Sequence, residues 1–166
     1  LFFMALSFSG SAQDSDSLKV IRLHEQCEQF IQQQNASQTL SLATKALRLS
    51  ESLASDRLKG KSHYYQGRAF GNTNNYTVAL NYYLQAIFFL EKTNAQSDLA
   101  IAYDYLGALY ARQGIHERAI IYFRKALVIY NEQEGIICKE ALGHSLLASS
   151  QYDEAYDTYT QVALWH

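Results

Sequence analysis

Five histidines are the residues in this sequence with the most versatile chemistry, since imidazole serves as a metal ligand and as a general acid or base. No two of them lie four residues apart around a glutamate, the spacing that a zinc hydrolase helix requires. Serine and aspartate are present, but no segment resembles the strand-turn-helix of a nucleophile elbow. We therefore predict no enzyme activity, no metal site and no cofactor. The histidines are His24, His63, His116, His144 and His166.

The composition narrows the class of protein further. Fourteen Lys and Arg stand against 16 Asp and Glu in 166 residues, a net charge of -2. This charge gives no electrostatic reason to expect binding of nucleic acid, which requires a clustered basic face. Cys27 and Cys138 are too few and too far apart for a disulfide framework or a paired metal motif. The chain has 48% hydrophobic residues and no proline, which indicates a single domain or a short repeat array made of helices.

One spaced pattern occurs three times: a glycine, an alanine twelve residues later, an aromatic residue four after that, and a small residue three further on. The composition predicts roughly 0.02 such matches by chance, so the pattern indicates an internal repeat. A degenerate copy with small residues precedes the others, and the first positions of the four copies, here termed the anchors, are separated by 40, 40 and 36 residues. The copies are Cys27, Thr39, Ala43 and Ala46; Gly67, Ala79, Tyr83 and Ala86; Gly107, Ala119, Phe123 and Ala126; and Gly143, Ala155, Tyr159 and Val162.

Each copy predicts a helical hairpin. Tyr103, Gly107 and Tyr110 fall on one helical face, as do the residues that follow Ala119. Between these helices we expect a break at residues 112–117, with equivalent breaks at 71–75 and 149–153. Glycine inside a helix costs about 1 kcal/mol relative to alanine, so we expect the partner helix to approach the anchors closely, with the aromatic residue filling the wedge between the helices.

Three segments resemble the tetratricopeptide repeat (TPR), whose signature is Leu-Gly and Tyr on the first helix and Ala, Phe or Tyr, and Ala on the second. They are Tyr103–Leu127, His63–Ile87 and Lys139–Val162. The resemblance covers about residues 18–166, although the tryptophan and the closing proline of the family are absent and the spacing is 40 rather than 34. It implies an all-α α-solenoid of stacked antiparallel hairpins in a right-handed superhelix. We predict four repeats, at 18–57, 58–95, 96–133 and 134–166.

The resemblance also implies a concave groove lined by the first helix of each hairpin. Residues three and two before each anchor, and one and five after it, should face this groove. Tyrosine and arginine there would suit a polypeptide ligand, whereas the pattern does not fit the lysine and asparagine pair that binds a terminal carboxylate in this family. Alternatively, these residues form a solvated inner face or contact further repeats. They are His24, Glu25, Glu28 and Gln32; Tyr64, Tyr65, Arg68 and Asn72; Asp104, Tyr105, Ala108 and Arg112; and Glu140, Ala141, His144 and Ala148.

The first residues resemble the second half of a secretory signal. Residues 1–8 are apolar, residues 9–12 are small, and the run is far shorter than the roughly 20 residues of a membrane-spanning helix. We predict that residues 1–17 form a leader that ends in a short polar linker at residues 14–17; the alternative is a frayed apolar tail. The helical pattern continues to residue 166, so we expect further domains after it.

These features predict a non-catalytic scaffold that binds a protein or peptide. The leader and the long repeat favour an exported, periplasmic or membrane-tethered sensory region, similar to the TPR input regions of bacterial sensor kinases and regulators. The alternative is a cytoplasmic co-chaperone or assembly adaptor that binds a partner peptide in the groove.

Overall fold

The computed structural model describes the backbone of residues 2–164 and the side chains of residues 14–164. This part of the chain folds into eight α-helices and contains no strand. The helices alternate between the first and second members of four hairpins, as the repeat pattern predicts. They are α1 (Phe2–Gln32), α2 (Ala36–Ser52), α3 (Asp56–Asn72), α4 (Tyr76–Leu90), α5 (Gln96–Arg112), α6 (His116–Ile129), α7 (Ile136–Ala148) and α8 (Tyr152–Ala163).

The chain divides into two compact units, unit 1 (Leu1–Thr93) and unit 2 (Asn94–His166). In unit 1 the hairpin of α3 and α4 packs against both helices of the first hairpin through α3. In unit 2, α7 likewise packs against α6 and α5. Each unit thus consists of two stacked helical hairpins. The first helix of the later hairpin makes the contacts with the earlier hairpin.

Residues 14–17 were expected to form a linker, and this expectation is wrong: they lie inside α1. The segment is polar, but it holds neither glycine nor proline, and Lys19 forms an i,i+3 ion pair with Asp16 at 2.7 Å, an interaction that supports a helix. The side chains of the predicted leader lie outside the described residues. Among the described residues, no helix combines the length and the apolar character needed to cross a bilayer.

The turn inside each hairpin has the same backbone geometry in all four repeats. The residue seven after the anchor has a positive φ: Gln34 at 56°, Asn74 at 59°, Gly114 at 74° and Ser150 at 59°. The next amide N–H donates to the carbonyl five residues earlier, at 2.8 to 3.0 Å. This is the Schellman ending of a helix, so the breaks predicted after the anchors are confirmed and each connection between the two helices is short.

The anchor glycines leave room for aromatic rings. A β-carbon on Gly67 would lie 2.9 Å from the ring of Tyr83, and one on Gly143 would lie 2.8 Å from the ring of Tyr159. The predicted wedge is therefore confirmed, although the ring occupies the space at the glycine rather than the backbone of the partner helix. In the first repeat the thiol of Cys27 is fully buried and Ala43 replaces the aromatic ring. The anchor on α1 is therefore larger than glycine, and the residue opposite it on α2 is smaller.

Close backbone approach occurs at a different glycine, one that the repeat pattern did not single out. A β-carbon on Gly60 in α3 would lie 2.6 Å from Cγ of Leu90 and 3.0 Å from the carbonyl oxygen of Ala86. Gly60 precedes its anchor by seven residues, two helical turns, and the other anchors have no glycine there. This contact brings α3 close to the last turn of α4 and helps to fix the position of α3 in unit 1.

Candidate partner-binding clefts

Unit 1 contains a cleft of about 360 Å³ between α1 and α3, the first helices of its two hairpins. Its floor includes the buried rings of His24 and Tyr65, whose centroids lie 5.3 Å apart. The rim carries both signs of charge. The lining residues are Ile21, His24, Glu25, Glu28, Arg57, Leu58, Lys61 and Tyr65.

Hydrogen bonds hold the groups around the unit 1 cleft in place. The His24 ring, through Nε2, lies 2.9 Å from the Ser62 hydroxyl, which donates to the carbonyl of Leu58. Arg68 donates to the Tyr64 hydroxyl at 2.7 Å and lies 3.9 Å from Glu28 of α1. Arg68 is therefore held between the Tyr64 hydroxyl and Glu28, one of the residues that line the cleft.

A buried polar chain ties α3 to α2 behind this cleft. The His63 ring, through Nδ1, lies 3.0 Å from the Gln66 side-chain oxygen, and Gln66 donates from Nε2 to the Thr44 hydroxyl at 3.2 Å. Thr44 in turn donates to the carbonyl of Leu40. The His63 ring stacks on Phe89 at 5.5 Å between centroids. Burial lowers the pKa of His63, and the hydrogen bond to Gln66 offsets only part of that effect.

Unit 2 contains a second cleft, of about 410 Å³, between α5 and α7. Its walls are largely apolar, and Ile137 is 76% exposed there. Two carboxylates line it, and no lysine, arginine or histidine does. The lining residues are Asp104, Tyr105, Ala108, Tyr130, Glu134, Ile137 and Ala141.

Asp104 is the half-buried charged group of the unit 2 cleft. The Tyr130 hydroxyl donates to its Oδ2 at 3.5 Å. Burial raises the pKa of Asp104, and the neighbouring Cys138 thiol and Tyr130 hydroxyl offset part of that rise. Burial and the Asp104 charge also raise the pKa of Tyr130, so its hydroxyl remains protonated as a donor. Asp104 is therefore a carboxylate whose neutral neighbours do not replace all of its lost hydration.

The structure brings together some of the predicted groove residues and separates others. Asp104 and Tyr105 line the unit 2 cleft together with Ala108 and Ala141, and His24, Glu25, Glu28 and Tyr65 line the unit 1 cleft. Tyr64 is buried, 8% exposed, and packs on Tyr83 instead. Asn72, Arg112 and His144 are exposed, and Glu140 is half-buried near Tyr159. Their part in partner binding stays a prediction.

Several lining residues were missed by the sequence reasoning. Arg57 and Lys61 lie eight and four residues before Tyr65, and Ile137 lies four before Ala141. Extending each stripe backwards by one or two helical turns would have found them. Tyr130 and Glu134 come from the connection between α6 and α7, which no helical stripe reaches. Within the described residues, no group of three or more potential metal ligands forms.

Comparisons with solved structures agree on the fold. BtubC (BKLC) from P. vanneervenii matches with a TM-score of 0.77 and 15% identity, over 89% of this chain and 63% of that one. A Podosopora anserina putative kinesin light chain with nearly identical TPR-like repeats matches with a TM-score of 0.74 and 16% identity, over 87% and 73%. MamA matches with a TM-score of 0.66 and 19% identity, over 93% and 82%.

The chain thus spans less than two thirds of BtubC. No protein-family model matches the sequence, and no curated protein is significantly similar to it. At these identities the structural matches speak for the fold alone. The fold is all-α and TPR-like, as the resemblance in the sequence predicts.

Proposed function

We propose that this chain is a non-catalytic scaffold that binds a segment of polypeptide in the clefts between the first helices of its hairpins. One observation carries the proposal: in each unit these helices leave an open cleft of about 360 to 410 Å³ lined by tyrosine and charged side chains. Tyrosine gives contact area and a hydroxyl at low entropic cost. Charged side chains of the clefts can bind polar groups of opposite charge on a partner.

The charges that line the unit 1 cleft favour a polypeptide as the ligand rather than a small substrate. Glu25 and Glu28 lie on α1, whereas Arg57 and Lys61 lie on α3, so both carboxylates and cations are offered across one opening. A peptide carries both kinds of group and backbone donors and acceptors along its length. Ser62, whose hydroxyl lies 2.9 Å from the His24 ring, is fully buried and donates to the carbonyl of Leu58, so this pair does not present a nucleophile to the cleft.

Selection from a random peptide library displayed on phage tests the proposal. The purified full chain is immobilised, and the selected peptides are synthesised and titrated by fluorescence anisotropy. Lys61→Ala in the unit 1 cleft and Tyr105→Ala in the unit 2 cleft should each weaken some of the peptides. Lys45→Ala, an exposed lysine on α2, is the matched control and should weaken none. Selection of no peptide, or equal effects of all three variants, contradicts the proposal.

We further propose that the scaffold is the exported sensory or recognition region of a longer signalling protein. Support comes from the apolar run at residues 1–8 followed by small residues at 9–12, and from the long spacing of the repeats. The alternative is a cytoplasmic adaptor. Fractionation of cells that express the full reading frame separates the two, because export places the repeats outside the cytoplasm and makes them sensitive to protease after the outer barrier is opened.

A further inference from the structure

We propose that the cleft between α5 and α7 in unit 2 receives a basic side chain, lysine or arginine, from the bound polypeptide. This inference rests on the proposed function and specifies the chemistry of one of its subsites. It follows from three features of the cleft: the sign of its charge, the environment of Asp104, and the apolar surface beside it.

The charge of the cleft has one sign. Asp104 and Glu134 line it without any basic residue. The unit 1 cleft, by contrast, sets Glu25 and Glu28 against Arg57 and Lys61. A cleft whose charged groups are all acidic attracts a cationic group and repels an anionic one. The two clefts therefore differ in the partner side chains that they favour.

Asp104 has room for a cationic partner. The groups beside it are neutral: the Tyr130 hydroxyl, which donates to it at 3.5 Å, and the Cys138 thiol. Within the described part of the chain, no lysine or arginine forms an ion pair with it. A half-buried carboxylate gains more from a charged donor than an exposed one does, because less water competes for the bond.

The walls suit the rest of such a side chain. Lysine and arginine carry an apolar stem of three or four methylene groups below the charged head. Tyr105, Ala108, Ile137 and Ala141 provide apolar surface for that stem. The two tyrosine rings also attract a cation held over their faces. A simple metal ion or a small ammonium ion would use the carboxylates but leave this apolar surface without a contact.

The test starts from peptides selected on the full chain. Lysine and arginine should be enriched at one position of a subset of them. For these peptides, replacing the lysine by Nε-acetyl-lysine, or the arginine by citrulline, should weaken binding about tenfold or more, as expected for loss of a charged hydrogen bond. Asp104→Asn should weaken the parent peptide to the same extent, and acetylation should then have no additional effect. Asp157→Asn, an exposed aspartate of α8, should leave binding unchanged.

A second variant keeps the test valid if Asp104→Asn folds poorly by circular dichroism. Glu134 is exposed, so Glu134→Gln should fold normally and weaken the same peptides several-fold. A selection in which no subset of peptides carries a lysine or arginine at one position overturns this inference but leaves the proposed function intact. So does acetylation that weakens binding to Asp104→Asn as much as to the parent chain, or an unchanged affinity of the basic peptides for Glu134→Gln. Selection of no peptide at all overturns the proposed function, and this inference with it.

Discussion

The ring of Phe123 fills the space where a side chain at Gly107 would begin: a β-carbon built on Gly107 would lie 2.8 Å from Cδ1 of that ring. Phe123 is fully buried, so the ring has little freedom to move aside. Gly67 with Tyr83, and Gly143 with Tyr159, repeat the relationship. The sixteen-residue separation of each pair is therefore a packing constraint, which explains why glycine stands inside three helices.

Gly107→Ala should lower the free energy of unfolding by up to about 2 kcal/mol. Overpacking a buried contact costs about 1–3 kcal/mol, whereas alanine gains about 1 kcal/mol in helix propensity over glycine. Urea unfolding followed by circular dichroism measures the change. Phe123→Leu removes part of the ring, so the double variant should lose less stability than the sum of the two single variants. Additive losses would show that Gly107 and Phe123 are not in contact.

This packing could be predicted from the sequence because a glycine and an aromatic residue recur at the same spacing in three repeats. The clefts were only partly predictable. Tyr105 and Ala141 could be placed from helical periodicity, but Tyr130 and Glu134 enter the unit 2 cleft from a connection whose path depends on tertiary packing. The polar composition around Asp16 predicts a loop, but the segment has no helix breaker, so α1 continues through it.

The left-handed turn residues give a second prediction. Gln34 has a φ of 56° and Gly114 a φ of 74° in equivalent turns, and only glycine adopts this conformation without steric cost. Gln34→Gly should raise the free energy of unfolding by about 0.5–1 kcal/mol, and Gly114→Ala should lower it by about 1 kcal/mol. Thermal and urea unfolding of the two variants measure the changes. Changes of the same sign in both would contradict the assignment of the turn.

Both cysteines should be unreactive in the folded chain. Cys27 and Cys138 are free and buried, and burial raises the pKa of the Cys27 thiol to about 12 and that of Cys138 further. Thiolate is the reactive form, so Ellman's reagent at pH 8 should detect no thiol before unfolding and both after it in guanidinium. Ser41→Cys, at an exposed position of α2, should add one fast-reacting thiol. Fast reaction of the parent chain would show that a buried helix contact opens readily.

Tyr159→Phe should leave the fold intact and raise the free energy of unfolding by about 1 kcal/mol. The Tyr159 hydroxyl is buried and has no hydrogen-bond partner among the described residues, a state that costs free energy. Phe123 shows that a phenylalanine fits the equivalent position beside an anchor glycine. Tyr156→Phe, at an exposed position of the same helix, is the control and should have little effect. Destabilisation by Tyr159→Phe in urea unfolding would show that the hydroxyl is satisfied in solution.

His63 should make the stability of the fold depend on pH. Burial lowers its pKa below the ordinary value of 6.5, so the unfolded chain binds the proton more readily than the folded chain. The stabilising contribution of the neutral ring is complete above pH 6.5 and is lost as the pH falls towards the lowered pKa, with a slope of at most about 1.4 kcal/mol per pH unit for one proton.

His63→Phe keeps an aromatic ring against Phe89 and removes the titration. Urea unfolding at a series of pH values from 7.5 to about 5 should therefore show a shallower loss of stability for His63→Phe than for the parent chain. The variant leaves the Gln66 side-chain oxygen without its partner, so its absolute stability is lower and the slope is the quantity to compare. Identical slopes for the parent chain and His63→Phe would mean that the buried ring takes up its proton as easily in the folded chain as in the unfolded one.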